Sequence, residues 1–167
     1  MLYTSQNEIK LAAVVPAAGI GSRMNSDVPK QYLQINGQAI ISLTLRKLLL
    51  CQFIQKIVVA ISKDDVWFDS LEISKHPKVE TVIGGVERAC SVLQGIKKVS
   101  QDKFDWVLVH DAARPCVPVE DINNLFYRCV ENNCGGILAY PADDTMKRGV
   151  GSVIKHTENR VDLWHAL

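Results

Sequence analysis

The 167-residue chain carries no excess of either charge: 19 lysines and arginines against 18 acids leave a net +1. That balance excludes a general nucleic-acid binder, which shows a basic excess, so any polyanion must be held by a few placed cations. Long hydrophobic runs are also missing. The longest, "LAAVVPAAGI", is broken by Pro16 and falls short of the roughly 18–20 residues that span a bilayer. The opening "MLYTSQNEIK" lacks the basic region and apolar core of a signal peptide. The five cysteines form no C-x-x-C pair and the four histidines are scattered, so no zinc site is spelled out. These absences describe a cytoplasmic protein with reduced cysteines and neither a membrane nor a nucleic-acid partner. Cys90 and Cys129 fall in helical apolar patterns and are expected to pack as small hydrophobes.

What is present is an ordinary globular composition, 47% hydrophobic and 22% charged, at a length suited to one domain with a real core. Short apolar runs alternate with helical patterns. "LAAVVPA", "KIVVAIS", "VETVIGG", "DWVLVHD" and "GGILAYP" read as strands, most of them apolar throughout, as parallel strands covered on both faces are. Helices are expected over Ala39–Cys51, Asp65–Ser74, Glu87–Val99 and Val119–Asn132. The third places Ala89, Leu93 and Ile96 at helical spacing, and the fourth Ile122, Leu125, Phe126 and Cys129. Strand–helix–strand repetition implies right-handed crossovers and an α/β three-layer sandwich with a mainly parallel sheet. Trp67, Trp106 and Trp164 read as packing residues. The segment after residue 142 is polar and glycine-punctuated, and the final "LWHAL" reads as an interruption.

In such a sheet ligands collect outside the carboxyl ends of the strands. The first strand opens into Ala17-Ala18-Gly19-Ile20-Gly21-Ser22-Arg23, with Lys30 just beyond. Glycines let backbone N–H groups approach a phosphate, and a nest of them binds anions. Gly-Lys-[Ser/Thr] occurs nowhere, so this is no Walker loop, and Met24 stands where a dinucleotide fingerprint needs its third glycine. Two cations beside a glycine nest suit a reacting triphosphate. A tight turn with two solvated cations is the plainer alternative. Asp111, at the end of "WVLVHD", is placed to hold Mg²⁺ through its carboxylate, with Arg114 three residues on; a turn acid is the alternative. His110 reads as a residue hydrogen-bonded locally. Arg88 and Ser91 share one face of a helix start, as they also would on a plain helix surface.

Five motifs in order, "VVPAAGIGSRM…PKQYL", "GGVERACSV", "WVLVHDAARP", "GGILAYPADDTMKR" and "HTENRVDLWHAL", make the chain resemble the 2-C-methyl-D-erythritol 4-phosphate cytidylyltransferases of non-mevalonate isoprenoid synthesis. The resemblance implies a single Rossmann-like nucleotidyltransferase domain over residues 1–167, with an extended β-arm over about 143–161. It implies a homodimer that exchanges arms, and transfer from CTP to a sugar-alcohol phosphate with Mg²⁺ and release of pyrophosphate. By matching position, Arg23 and Lys30 would stabilise the transition state. Ala17, Ala18, Gly19 and Gly21 would contact the nucleotide, and Gly84, Gly85, Ser91 and Ala112 would complete its site. Asp111 would lie by the metal and Arg114 near the sugar phosphate. Thr145 and Arg160 would sit on the arm, with Arg160 positioning the phosphate of the neighbouring subunit's substrate.

Two departures qualify the resemblance. Val86 follows the glycine pair where some relatives carry an acid. The family also continues past "LWHAL" into a lysine-bearing segment that helps hold the substrate phosphate. The rival readings are a ribitol 5-phosphate cytidylyltransferase, which shares the nucleotide motifs, and a catalytically silent CTP-binding fragment.

Overall fold

The computed structural model describes residues 9–19 and 28–166. The chain divides into two compact units, Met1–Val119 and Glu120–Leu167.

The first unit is built on a four-stranded parallel sheet of β1 (Leu11–Pro16), β4 (Ile54–Ile61), β5 (Val79–Ile83) and β6 (Trp106–Val109), in the order β5-β4-β1-β6. Between β1 and β4 lie a two-stranded hairpin, β2 (Gln34–Ile35) and β3 (Gln38–Ala39), and helix α1 (Ile40–Leu50). The hairpin turns on Asn36-Gly37, both at positive φ, the pairing that a two-residue turn favours. Helix α2 (Arg88–Val99) joins β5 to β6.

The strand order dictates where the helices go. The connection through α1 runs from β1 one way along the sheet to β4. The connection through α2 runs back past β1 to β6. Right-handed crossovers made in opposite directions put the two helices on opposite faces. The result is a three-layer α/β sandwich with a Rossmann-like reversal of strand order beside β1.

Burial follows the period of the strands. Ala12, Val14 and Val58 form one core face with Val99 of α2, and Val82 and Phe104 pack at its margin. Ala13, Val15, Ile57 and Val59 alternate to the other face and are equally buried. Helix α1 contributes Ile41, Thr44, Leu45 and Leu48, at the three-to-four spacing of a single apolar stripe.

Three expectations change on this side of the molecule. The buried face of α2 is Ser91, Gly95 and Val99, while Leu93 and Ile96 are exposed at 49% and 38%. The cause is the closeness of the helix to β1: a Cβ on Gly95 would lie 2.3 Å from Val14 Cγ1, so the smallest residues take the contact. Cys90 is accordingly exposed, whereas Cys129 is buried as expected. The segment 65–74 forms two 3₁₀ turns, Phe68–Ser70 and Glu72–Lys75, instead of a helix. Its side chains compete for the backbone. Asp65 accepts from the Trp67 and Phe68 N–H groups, and the hydroxyls of Ser70 and Ser74 donate to the Trp67 and Leu71 carbonyls.

All but the first residue of α3 (Val119–Asn132) belongs to the second unit, and the helix buries Ile122, Phe126 and Cys129. "GGILAYP" yields only a short strand, β7 (Ala139–Pro141), paired antiparallel with β10 (Trp164–Ala166). Trp164 is 60% exposed, against its expected packing role. Between them β8 (Lys147–Val150) and β9 (Val153–Thr157) form a hairpin whose residues are all exposed.

Candidate active site

The reversal of strand order leaves a crevice past the carboxyl ends of β1 and β6, where open α/β sheets bind ligands. A cavity of about 360 Å³ lies there, walled by three loops: residues 16–19 after β1, 85–88 entering α2, and 111–114 after β6. Lys30 and Gln31 close one side of it.

Each loop is pinned by one buried polar side chain. Gln31, 6% exposed, donates its amide N–H groups to the carbonyls of Ala17 (2.6 Å) and Gly19 (3.1 Å). The Ser91 hydroxyl accepts from the Gly85 N–H at 3.1 Å and lies 3.2 Å from the Gly85 carbonyl. Thr44, fully buried in α1, donates to the Ala112 carbonyl at 2.9 Å. Buried polar groups are costly unless paired. All three place a hydrogen bond on loop backbone, which helps fix the cavity wall.

The charges converge on Asp111. Its Oδ1 accepts from Arg88 Nη2 at 2.7 Å and Nε at 3.0 Å, and Oδ2 faces Arg114 Nε at 2.9 Å. Burial works to raise the Asp111 pKa. The hydrogen bonds from Arg88 and the charges of Arg88 and Arg114 outweigh it, holding the carboxylate below its ordinary range. Both arginines remain about half exposed, so the trio adds little stability, about 0–1 kcal/mol per pair. What it builds is a cleft with two guanidinium groups in fixed places. His110 lies behind it: burial lowers its pKa, and Nδ1 sits 3.0 Å from the Asp111 carbonyl. A carbonyl only accepts, so Nδ1 carries the proton of the neutral ring.

The cavity thus brings together Ala17, Ala18, Gly19, Lys30, Gly85, Ser91, Asp111, Ala112 and Arg114 of the residues expected from sequence. Gly84 stands behind the lining. A Cβ there would meet Ala18 Cβ at 2.6 Å and Ser91 Oγ at 2.7 Å, so its role is to let two loops close. Gly21 and Arg23 lie outside the described residues. Thr145 and Arg160 belong to the second unit, both exposed, where the Arg160 guanidinium donates to the Asp143 carbonyl. Gln31 and Thr44 were missed by sequence reasoning. Nothing in local patterning marks them, because their partners are backbone carbonyls far along the chain.

Asp111 is a partly exposed carboxylate on the cavity wall, of the type that holds Mg²⁺, but Arg88 and Arg114 already take its two oxygens, so a divalent cation would have to share it with them. In the second unit Asp143, Asp144 and His165 bring ligand atoms within 4.8 Å of one another, but both acids are exposed, a common arrangement without an ion.

Residues 11–167 match the family described as IspD: 2-C-methyl-D-erythritol 4-phosphate cytidylyltransferase. A protein of that name from Vibrio vulnificus (strain CMCP6) is 54% identical over 160 residues, covering 94% of this chain and 68% of its own length. The crystal structure of the Francisella tularensis 2-C-methyl-D-erythritol 4-phosphate cytidylyltransferase matches with a TM-score of 0.78 at 36% identity, over 94% of this chain and 69% of that one. A crystal structure of a 4-diphosphocytidyl-2C-methyl-D-erythritol synthase matches with a TM-score of 0.80 at 32% identity, over 95% of this chain and 72% of that one. The glycine loop, the arginine-clasped aspartate and the strand order therefore sit in a chain that belongs to the 2-C-methyl-D-erythritol 4-phosphate cytidylyltransferase family.

Proposed function

We propose that the chain transfers the cytidylyl group of CTP to 2-C-methyl-D-erythritol 4-phosphate, giving 4-diphosphocytidyl-2-C-methyl-D-erythritol and pyrophosphate. The observation that carries this reading is the convergence of the glycine loop, Lys30, Arg88, Asp111 and Arg114 on one cavity at the strand-order reversal. Attack of a phosphate oxygen on the α-phosphorus brings two anions together. Positioning and neutralisation are then the main catalytic needs, and no covalent nucleophile is required.

In this reading the backbone of Ala17, Ala18, Gly19 and Gly21 cradles the triphosphate. Lys30 and Arg23 neutralise charge that develops at the α-phosphate; the exposure of Lys30 on the cavity wall supports its part. Gly84, Gly85, Ser91 and Ala112 shape the cytidine end, and Arg114 takes the sugar phosphate. Asp111 would be the residue that holds Mg²⁺. When bound, the ion supplies charge neutralisation that the side chains do not provide alone.

The whole chain acts as one nucleotidyltransferase domain whose arm, about 143–161, crosses to a second subunit of a homodimer. The hairpin β8–β9 supports this. Val150, Val153 and Ile154 are each at least 60% exposed, and an isolated two-stranded hairpin is marginal in water. Thr145 and Arg160 serve the neighbouring site from that arm, Arg160 positioning the acceptor phosphate. A cytoplasmic setting is part of this reading; among the described residues no helix is long and apolar enough to cross a membrane.

The test is pyrophosphate release with CTP and Mg²⁺, offering methylerythritol phosphate and ribitol 5-phosphate in parallel. Release with methylerythritol phosphate alone is expected. Release with ribitol 5-phosphate alone contradicts the substrate, and silence with both contradicts the activity.

A further inference from the structure

We propose that Gln31 is a positioning residue for the triphosphate, acting through the polarity of the loop after β1. The proposal rests on the functional reading above and adds a residue to it.

The argument begins with the direction of a peptide bond. In a trans peptide the carbonyl and the following N–H point opposite ways. Gln31 draws the Ala17 carbonyl to 2.6 Å from its amide nitrogen, which turns the Ala18 N–H away from Gln31. A second donor of the same amide holds the Gly19 carbonyl at 3.1 Å. The Ala17 N–H is already committed to the Ala60 carbonyl at 2.7 Å. One side chain therefore occupies two carbonyl oxygens that would repel an anion and leaves the Ala18 N–H directed away from that side chain. Without the amide, those carbonyls would lose their partners and be free to turn toward the phosphates.

Gln31 can do this because its own turn is anchored. Pro29 and Tyr32 bracket it, and the Tyr32 hydroxyl donates to Asp65 Oδ2 at 2.6 Å while its ring stacks on Trp67 at 5.5 Å. Asp65 Oδ1 in turn accepts from the Trp67 and Phe68 N–H groups. Lys30 is the preceding residue, so the cation and the loop are held in one register. The chemistry demands glutamine: glutamate would set a charge against two carbonyls, and asparagine is a methylene short.

The experiment compares Gln31→Met, which keeps length and loses both donors, with Gln31→Asn, which keeps the amide and loses reach. Affinities for CTP and for cytidine are measured by calorimetry on the whole chain, alongside amide hydrogen exchange without ligand. Both variants are expected to weaken CTP about tenfold or more, as loss of buried hydrogen bonds at a charged ligand commonly does. Cytidine affinity should hold, and exchange should quicken at residues 17–19 while β4 and β5 keep their protection. Equal loss for CTP and cytidine, or unchanged CTP affinity in either folded variant, overturns the proposal. Binding of CTP by the unaltered chain tests the functional reading separately, and the exchange at residues 17–19 reports on the loop whichever way that falls.

Discussion

Arg88, the first residue of α2, and Asp111, just past the end of β6, meet through a forked contact in which Nη2 and Nε both reach Oδ1, at 2.7 and 3.0 Å. The contact ties the helix start after β5 to the loop after β6 across the mouth of the crevice. Arg114 closes the far side of the same carboxylate.

Because this carboxylate is partly exposed, its removal should separate function from stability. Asp111→Asn is expected to lower turnover by about 10²-fold or more while changing unfolding free energy by less than about 1 kcal/mol. Steady-state kinetics beside urea unfolding make the comparison. A stability loss as large as the activity loss would recast Asp111 as structural.

Lys30 gives a cleaner case, since it is exposed on the cavity wall. Lys30→Ala should cut turnover about 10²–10³-fold with stability within about 0.5 kcal/mol of the parent. The same loss is expected for Arg23→Ala on the strength of the motif. Near-normal turnover would remove either residue from the catalytic set.

Two glycines should respond differently to a methyl group. Gly95→Ala drives a Cβ into Val14 in the core, 2.3 Å from Cγ1, and should destabilise by about 1–3 kcal/mol, against a helix-propensity gain of about 1. Gly84→Ala pushes on Ala18 and Ser91 and should weaken CTP binding even where the fold survives. Thermal unfolding and CTP titration of both variants distinguish a core contact from a site contact.

Stability should depend on pH through His110. Its folded pKa is lowered, chiefly by burial, so below about 6.5 the unfolded chain takes up a proton that the folded chain does not. The His110 contribution is therefore full above that value and declines as pH falls toward the folded pKa. His110→Gln should flatten the slope of unfolding free energy against pH just below about 6.5. An unchanged slope would mean that the ring is as easily protonated folded as unfolded.

Much of this architecture was legible in the sequence because the central strands are apolar on both faces, and only a parallel sheet covered on two sides needs that. The cavity loops were legible where glycine, arginine and aspartate cluster at strand ends. The reading failed where the deciding quantity was distance instead of polarity. Leu93 and Ile96 outweigh Ser91 and Gly95 on any hydrophobic count, yet Gly95 closes on Val14 and Ser91 on the glycine pair 84–85. It failed again at 65–74, where serine and aspartate side chains claimed backbone groups that a helix would have used. Gln31 and Thr44 were invisible for a related reason, since their partners lie on the backbone of residues 14 and 68 positions away.

The most direct measurement of the central claim follows the α-phosphate itself. CTP labelled with ³²P at the α position, and separately at the γ position, is incubated with the chain, Mg²⁺ and methylerythritol phosphate. The account requires the α label in the cytidylylated sugar phosphate and the γ label in pyrophosphate. A γ label in the sugar product, or an α label left wholly in CTP, would contradict it.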